Sequence, residues 1–224
     1  MNNQKRASGV SVALNNTFKN IQNNKPILDE SAKRNYTIKI ANTLDEREAV
    51  FRLGYKTYLE KGYIKENDSK KLICDYDFNE ETIILIVQDK EKNIVGSATL
   101  VFDDAFVLPA SKVYQQELNS IKMVSKKNTE ICRFVINSNC RYSKEILVLL
   151  FNYAAIYIHK VKNYDGLVIE VTPRHKNYYK ELMCFEEFGG EKQCPQVQNT
   201  VGVLLYLSTQ SYRNTIIELR SKSN

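Results

Sequence analysis

Two charged residues stand inside an otherwise apolar segment near the middle of the chain. Glu130 and Arg133 belong to the stretch 129–136, whose other residues include Ile131 and Phe134. β-Branched and aromatic residues between polar segments predict a buried strand. Because a buried charge without a partner is costly, we expect this strand to face a cavity in which a polar group binds.

The two charges have distinct chemical uses. A carboxylate in a cleft can act as a general base or orient an amine, and a guanidinium can grip a carboxylate through two parallel hydrogen bonds. For Glu130 the alternative is a structural ion pair with Arg133 or Arg141, and for Arg133 it is a contact that holds a neighbouring loop. Residues three apart point to opposite faces of a regular strand. Both charges can therefore share one cleft only if the strand carries a bulge.

Length and composition predict a globular protein with one folded domain. The chain has 224 residues, of which 43% are hydrophobic and 26% charged, and a net charge of +6. Residues 1–34 contain six basic and two acidic residues and are rich in Asn, which predicts a flexible basic arm. This arm could serve solubility, or it could make transient contact with acidic lipid at a membrane or with an acidic partner. Residues 35–224 are predicted to form the folded domain.

Several functional classes are disfavoured. The five cysteines include no Cys-x-x-Cys pair and the two histidines have no zinc-ligand spacing, so we expect no metal site and reduced thiols in a cytoplasm. The first thirty residues contain no apolar signal-peptide core. The longest apolar tract, 146–158, is shorter than the ~20 residues that span a bilayer. Basic residues are not interleaved with stacking aromatics, which argues against nucleic-acid binding.

The residue pattern predicts a mixed α/β fold. We expect strands at 36–41, 82–88, 94–102, 129–136, 167–171 and 200–207, with a hairpin joining the second and third. One helix should begin after Thr43, which forms a capping box with Glu46. Further helices should follow Pro109, run from about 144 to 160, and follow Pro173. The prediction is one central sheet, antiparallel at its start, with helices on both faces.

This order of elements resembles the GNAT acyltransferase fold. Local segments resemble more closely the N-acyl amino acid synthases and their relatives, the acyl-homoserine lactone synthases. The matching segments are 52–58 with Gly62-Tyr63, 94–100, Asp103 or Asp104, Leu108-Pro109, Val113-Tyr114, Glu117-Leu118, 130–134 as glutamate-x-x-arginine, 170–175, Tyr178-Tyr179, Phe185 and Gly189. The resemblance covers roughly residues 36–207. Cys184 departs from it, since these proteins usually have glycine there.

The resemblance implies an N-acyltransferase that moves a long-chain acyl group from an acyl carrier protein thioester to the amino group of an amino acid. Coenzyme A is disfavoured as the carrier, because the loop 137–144, where acetyltransferases bind its pyrophosphate, contains no glycine. No tightly bound cofactor is implied. The alternatives are an acyl-homoserine lactone synthase that uses S-adenosylmethionine, a coenzyme A-dependent acetyltransferase, and a non-catalytic module that binds an acyl ligand.

The resemblance also suggests site residues beyond Glu130 and Arg133. His175 is expected to act in catalysis as a proton carrier or to contact substrate, its alternative being an exposed residue in the first turn of a helix. The expected substrate contacts are Arg52, Phe134, Arg174, Tyr178 and Tyr179. The two tyrosines could also protonate the leaving thiolate, or they could belong to the core. An acidic carrier protein could meet the basic residues Lys122, Lys126, Lys127, Arg141 and Lys144, unless these are simply solvated.

Overall fold

The computed structural model describes residues 35–140 and 142–210. The predicted basic arm, 1–34, and the predicted carrier contact Arg141 lie outside the described residues. None of the described helices combines the length and the hydropathy that a bilayer crossing requires.

Seven strands form one mixed sheet in the order β1-β2-β3-β4-β5-β7-β6. The strands are β1 (Thr37–Ile40), β2 (Ile83–Gln88), β3 (Ile94–Phe102), β4 (Asn128–Ile136), β5 (Gly166–Val171), β6 (Glu186–Cys194) and β7 (Thr200–Ser208). In the described chain, β4 and β5 are the one parallel pair, and all other neighbouring strands are antiparallel.

Two helices cover each face of the sheet, which confirms the predicted α/β architecture. One face carries α1 (Leu44–Glu60) and α2 (Ser111–Val124), and the other carries α3 (Ser143–Ile156) and α4 (Pro173–Met183). A π-helical segment, Tyr157–Lys162, extends α3. The larger core lies beneath α3 and α4, and smaller clusters lie beneath α1 and α2.

The parallel pairing of β4 and β5 is short. It begins at Asn128 opposite Gly166 and ends at Ile131 opposite Ile169. Both strands continue beyond this point, β4 to Ile136 and β5 to Val171. The two central strands therefore diverge beyond Ile131, and the sheet opens between them.

β4 also carries the bulge that Glu130 and Arg133 need in order to share a face. Between Cys132 and Val135, β4 advances by three residues while its partner β3 advances by two. Arg133 has a φ of 41°, a left-handed conformation that is uncommon for a residue of this type. As a result Glu130 and Arg133 both point to the face of α1 and α2, whereas Phe134 points to the face of α3.

The predicted element boundaries hold closely, with one omission. Thr43 and Glu46 form the expected capping box at the start of α1, and the helix stops at Lys61, before Gly62. The sequence gives no warning of β6. Six of the nine β6 residues are exposed, and the strand is rich in Glu and Gly, so it has neither the alternation nor the β-branched content on which strand prediction depends.

Candidate active site

Glu130 lies on β4 at the third of the four β4–β5 residue pairs, opposite Val168. Its side chain is 4% exposed, and its Oε2 accepts a hydrogen bond of 2.9 Å from the N–H of Ala110 at the start of α2. Burial raises the pKa of the Glu130 carboxyl to about 8, and the Ala110 hydrogen bond acts in the opposite direction. A carboxylate of this basicity can accept a proton from an amine near neutral pH, as a general base must.

Arg133 binds an aspartate of the protein itself. Nη1 and Nη2 donate to the two carboxylate oxygens of Asp77 at 2.6 and 2.7 Å, and both side chains are 1% exposed. The guanidinium also donates to Leu72 O at 3.1 Å and to Thr99 Oγ1 at 3.0 Å. It lies 4.9 Å from the centre of the Phe51 ring. Of the two uses considered for Arg133, these contacts match the one in which it holds a neighbouring loop rather than a substrate carboxylate.

The loop that Arg133 holds contains a short 3₁₀ helix, Asp75–Phe78. Asp77 Oδ2 also accepts the Cys74 N–H at 2.8 Å, and the Arg47 guanidinium of α1 donates to Asp77 O at 2.9 Å. Gly54 allows α1 to lie close to this pair, because a Cβ at Gly54 would stand 3.1 Å from Arg133 Cδ. The ion pair thus joins β4, α1 and the loop.

A second carboxyl lies on the same face as Glu130. Glu170 is on β5, two residues beyond Val168, which pairs with Glu130; side chains two apart on a strand share a face. Burial raises the pKa of the Glu170 carboxyl, while the Cys194 thiol acts against this shift. The Glu170 carboxyl extends over Gly202 of β7, where an added Cβ would clash with its Oε1.

The opposite face of the opening is aromatic. The Phe134 ring lies 5.0 Å from that of Phe151, and Phe151 lies 5.5 Å from Tyr179 and 5.9 Å from Phe185. Tyr178 stacks edge-on against Tyr179 at 5.7 Å. Tyr179 is buried in the core and Tyr178 is half-buried. We name these five residues the aromatic wall.

The C-terminal end of α1 reaches both sides of the opening. Glu60 Oε2 is 3.5 Å from Ser138 Oγ, just past β4, and Gly62 O accepts the Gln198 side-chain amide, which lies before β7, at 2.9 Å. The positive charge of Lys61 helps to lower the pKa of His175, which lies beyond β5. The segment Glu60–Gly62 therefore spans the mouth of the opening.

Two predicted site residues, Arg174 and His175, lie at this mouth on the first turn of α4. His175 Nδ1 is 3.0 Å from Thr172 Oγ1, and both Arg174 and His175 are exposed. Burial and then the charges of Arg174 and Lys61 lower the pKa of His175. Among the described residues, neither Lys61 nor Arg174 has an acidic ion-pair partner. The Glu60 carboxylate also acts on Lys61, so Lys61, Arg174 and Glu60 together give the mouth a net positive charge.

The described basic residues that were predicted to meet a carrier fall into two groups along the chain. Lys122, Lys126 and Lys127 precede β4, whereas Lys144 follows it on α3. β4 has nine residues, so at ~3.3 Å per residue the two groups lie at opposite ends of a segment about 26 Å long. Lys122 and Lys127 are also 3.8 and 3.4 Å from Asp103 and Asp104, respectively. The opening lies at the Lys144 end.

Arg52 is not brought to the opening either. Its side chain is exposed on α1 and lies 3.9 Å from Glu48 on the same helix, whereas its neighbours Phe51 and Gly54 are buried. Arg52 thus lies on the exposed face of α1.

Three of the residues described above were not among the predicted site residues. Lys61 ends a helix, where lysine is ordinary, and carries no signal. Asp77 follows a polar loop, so nothing local indicates that it is buried. Glu170 could have been found, since it is a charge within the apolar strand 167–171, the same feature that singles out Glu130.

The thiol of Cys132 lies between Glu130 and Arg133 in the chain and is buried. Burial and then the charge of Glu130 raise its pKa well above the usual range. Cys132 therefore remains a thiol rather than a thiolate, and the thiolate is the nucleophilic form. Cys132 in this state is a poor nucleophile.

A family model described as N-acyl amino acid synthase FeeM matches residues 49–208. The chain belongs to this family. It is accordingly an acyltransferase, which confirms the reaction class implied by the resemblance. No curated protein matches the chain.

Solved structures agree with the family in fold. FeeM, an N-acyl amino acid synthase from uncultured soil microbes, is 22% identical with a TM-score of 0.67, over 80% of this chain and 93% of FeeM. The coenzyme A-dependent acyl-homoserine lactone synthase BjaI is 13% identical with a TM-score of 0.64, over 83% of this chain and 90% of BjaI. The acyl-homoserine lactone synthase LasI is 15% identical with a TM-score of 0.58, over 78% of this chain and 89% of LasI. The predicted GNAT-like fold is thus confirmed.

The Arg133–Asp77 pair yields a stability prediction. Asp77→Asn should lower the free energy of unfolding by about 3–5 kcal/mol, because it leaves the Arg133 charge buried without a partner. Asp75 is exposed two residues away, so Asp75→Asn is the matched control and should stay within about 0.5 kcal/mol of wild type. Urea unfolding of both variants measures the difference. Equal stability of wild type and Asp77→Asn would mean that the pair does not hold the loop.

Proposed function

We propose that this protein transfers a long-chain acyl group from an acyl carrier protein thioester to the amino group of an amino acid, forming an N-acyl amino acid. The observation that carries the proposal is the position of Glu130, a buried carboxyl one residue pair before β4 and β5 diverge. The family supplies the reaction class, and the geometry of this chain supports the roles of its residues.

In the proposed reaction, the acceptor nitrogen attacks the thioester carbonyl in the opening between β4 and β5. The developing oxyanion accepts hydrogen bonds from backbone amides of β4 beyond Ile131, where β5 no longer pairs with it. Glu130 takes a proton from the attacking nitrogen and returns it to the leaving thiolate. A C–N bond forms, the C–S bond breaks, and Glu130 ends the cycle as it began.

Arg133 acts in this scheme as a positioning residue. Its charge is directed at Asp77, and its bulge turns the strand so that β4 presents Glu130 and Phe134 to opposite faces. Its proposed contribution is to fix the strand on which Glu130 lies rather than to touch the acceptor.

The acyl donor is proposed to use the face of α3 and α4. The aromatic wall offers apolar contact to a long acyl chain, whose burial contributes about 0.8 kcal/mol per methylene group. An acidic carrier protein would meet Lys61, Arg174 and His175 at the mouth, where attraction between opposite charges speeds encounter. The loop 137–144 contains no glycine, which supports a protein carrier over coenzyme A.

The direct test is product formation. The purified protein, incubated with acyl carrier protein thioesters and a mixture of amino acids, should yield an N-acyl amino acid detectable by mass spectrometry. Turnover with acetyl-coenzyme A alone would refute the donor assignment. A homoserine lactone product that requires S-adenosylmethionine would assign the chain to lactone synthesis, and a bound acyl ligand without turnover would indicate a binding module.

The basicity of Glu130 predicts the pH dependence of the reaction. Because the raised pKa of about 8 leaves only about one tenth of the carboxyls ionised at pH 7, kcat should rise with pH and level off above about 8. Glu130→Gln should lower kcat by roughly 10²–10⁴ and abolish this limb. Measurement of kcat at saturating substrates from pH 6 to 9.5 tests both points. A Glu130→Gln variant that keeps wild-type kcat and pH profile would rule Glu130 out as the base.

The electropositive mouth predicts where the carrier docks. Lys61→Glu with Arg174→Glu should raise KM for the carrier thioester by about tenfold or more at low salt and leave kcat nearly unchanged, because encounter rather than chemistry is affected. Lys122→Glu with Lys126→Glu applies the same charge change at the far end of β4 and should alter KM less than about twofold. The reverse outcome would place the carrier at the far end.

A further inference from the structure

The Tyr58 hydroxyl is a polar group that the mechanism above leaves unused. The residue is half-buried, and among the described residues no group forms a hydrogen bond with its hydroxyl. Other tyrosine hydroxyls of the domain are paired. That of Tyr55 accepts the Asn67 N–H at 3.4 Å, and that of Tyr114 donates to Gly202 O at 2.7 Å. Because a tyrosine hydroxyl among buried groups usually finds a partner, that of Tyr58 points to a ligand.

The turn of α1 that carries Tyr58 lies over the opening. Phe51, Gly54 and Tyr58 are three and four residues apart, which places them on one face of the helix. The first two contact Arg133, because the Phe51 ring centre is 4.9 Å from its guanidinium and a Cβ at Gly54 would stand 3.1 Å from its Cδ. The C-terminal end of α1 reaches the loop past β4. Tyr58 therefore lies over the part of β4 that follows Arg133, where β5 no longer pairs with it.

The Tyr58 hydroxyl is directed at the side of the opening that Glu130 occupies. Side chains of a helix lean towards its N-terminus, so the Tyr58 ring leans back from the mouth. Its strongest electrostatic neighbours are Cys132, Arg133 and Cys74. Cys132 follows Glu130 by two residues on β4, and its thiol is a hydrogen-bond partner of the Glu130 carboxyl. Cys132 is therefore a common neighbour of the Tyr58 hydroxyl and the Glu130 carboxyl.

The surroundings of Tyr58 make its hydroxyl a donor. Burial raises its pKa well above the usual value, so it stays protonated throughout the pH range of the reaction. Burial also raises the pKa of the Cys74 and Cys132 thiols, so both remain neutral. Asp77 directs both of its carboxylate oxygens at Arg133. An anionic oxygen of a ligand would complete this environment.

The substrate expected on this face of the sheet is the acceptor. In the proposed reaction the acyl donor lies against the aromatic wall on the face of α3 and α4, whereas Glu130 meets the acceptor nitrogen on the face of α1 and α2. An α-amino acid carries its carboxylate on the carbon that bears this nitrogen, so the two groups enter together. Arg133, which the sequence suggested as the grip for that carboxylate, is bound to Asp77. The carboxylate therefore needs a different donor.

We propose that the Tyr58 hydroxyl donates a hydrogen bond to the carboxylate of the acceptor and thereby selects an α-amino acid over an amine that lacks this group. The proposal rests on the proposed function. The carboxylate takes no part in acyl transfer, so the bond is equally strong before and during the reaction. An interaction of this kind acts on KM rather than on kcat.

Tyr58→Phe tests the proposal because it removes the hydroxyl and keeps the ring, which lies 5.6 Å from that of Tyr63. With an amino acid as the acceptor, kcat/KM should fall by about 10–100-fold, chiefly through KM, since a hydrogen bond to a charged group is lost. With the decarboxylated amine of the same side chain, variant and wild type should agree within about twofold. Mass spectrometry of the products at saturating carrier thioester measures both acceptors.

Tyr55→Phe is the matched control. It makes the same change on the same helix, at a hydroxyl that bonds to the Asn67 N–H, and it should leave the preference for the amino acid over the amine unchanged. An equal loss with both acceptors in Tyr58→Phe would assign the hydroxyl to the thioester carbonyl and overturn the proposal. A variant that keeps the wild-type KM for the amino acid would also overturn it.

If Tyr58→Phe does not fold, wild-type enzyme supplies the test. Its kcat/KM for the amino acid should exceed that for the decarboxylated amine by about tenfold or more, and equal values would overturn the role of Tyr58. Absence of any N-acyl product from wild type would refute the proposed function together with this inference. Product formation with the same acceptor preference in wild type and Tyr58→Phe would refute the inference alone.

Discussion

The structure depends on where backbone pairing between β4 and β5 stops. Four residue pairs hold the strands together, and beyond them each strand is held only by its other neighbour, β3 or β7. A gap at the centre of a sheet exposes polar backbone groups that would otherwise be paired. Such a gap is costly unless a ligand or solvent fills it. A ligand that binds at this point can therefore form hydrogen bonds with backbone groups that no neighbouring strand pairs.

The bulge at Arg133 and the ion pair with Asp77 depend on each other. A non-glycine residue at positive φ is strained by about 1–3 kcal/mol, and Arg133 is kept in that conformation by its bonds to Asp77, Leu72 and Thr99. Without the extra residue, Arg133 would project to the face of α3, among apolar side chains. The buried pair therefore has more to do with the direction of side chains along β4 than with net stability, to which buried ion pairs contribute little.

Much of the fold was predictable because its signals are local. The capping box at Thr43, the hairpin between β2 and β3, and the proline that opens α4 each depend on a few adjacent residues. β6 was missed because an exposed edge strand has no apolar face, so its sequence does not alternate between apolar and polar residues. The bulge was recognised as a requirement but could not be predicted, since the residue that forms it is an arginine rather than a glycine.

The candidate site was predictable only in part, for a related reason. A charge inside an apolar strand marks Glu130 and, by the same criterion, Glu170. The partner of Arg133, by contrast, comes from a loop more than fifty residues earlier, and the choice between substrate and protein partner is made by tertiary contacts. Likewise, basic residues close in the chain were separated by the length of β4, which a grouping by sequence cannot detect.

The first turn of α2 touches the environments of both carboxyls. Ala110 donates its N–H to Glu130, and Tyr114, whose N–H bonds to Ala110 O at 2.8 Å, reaches across to Gly202 beside Glu170. Tyr114 departs from helical geometry, with φ and ψ of −118° and 36°, which separates this turn from the rest of the helix. One turn of α2 therefore contacts the surroundings of both carboxyls, through Ala110 on the side of β4 and through Tyr114 on the side of β7.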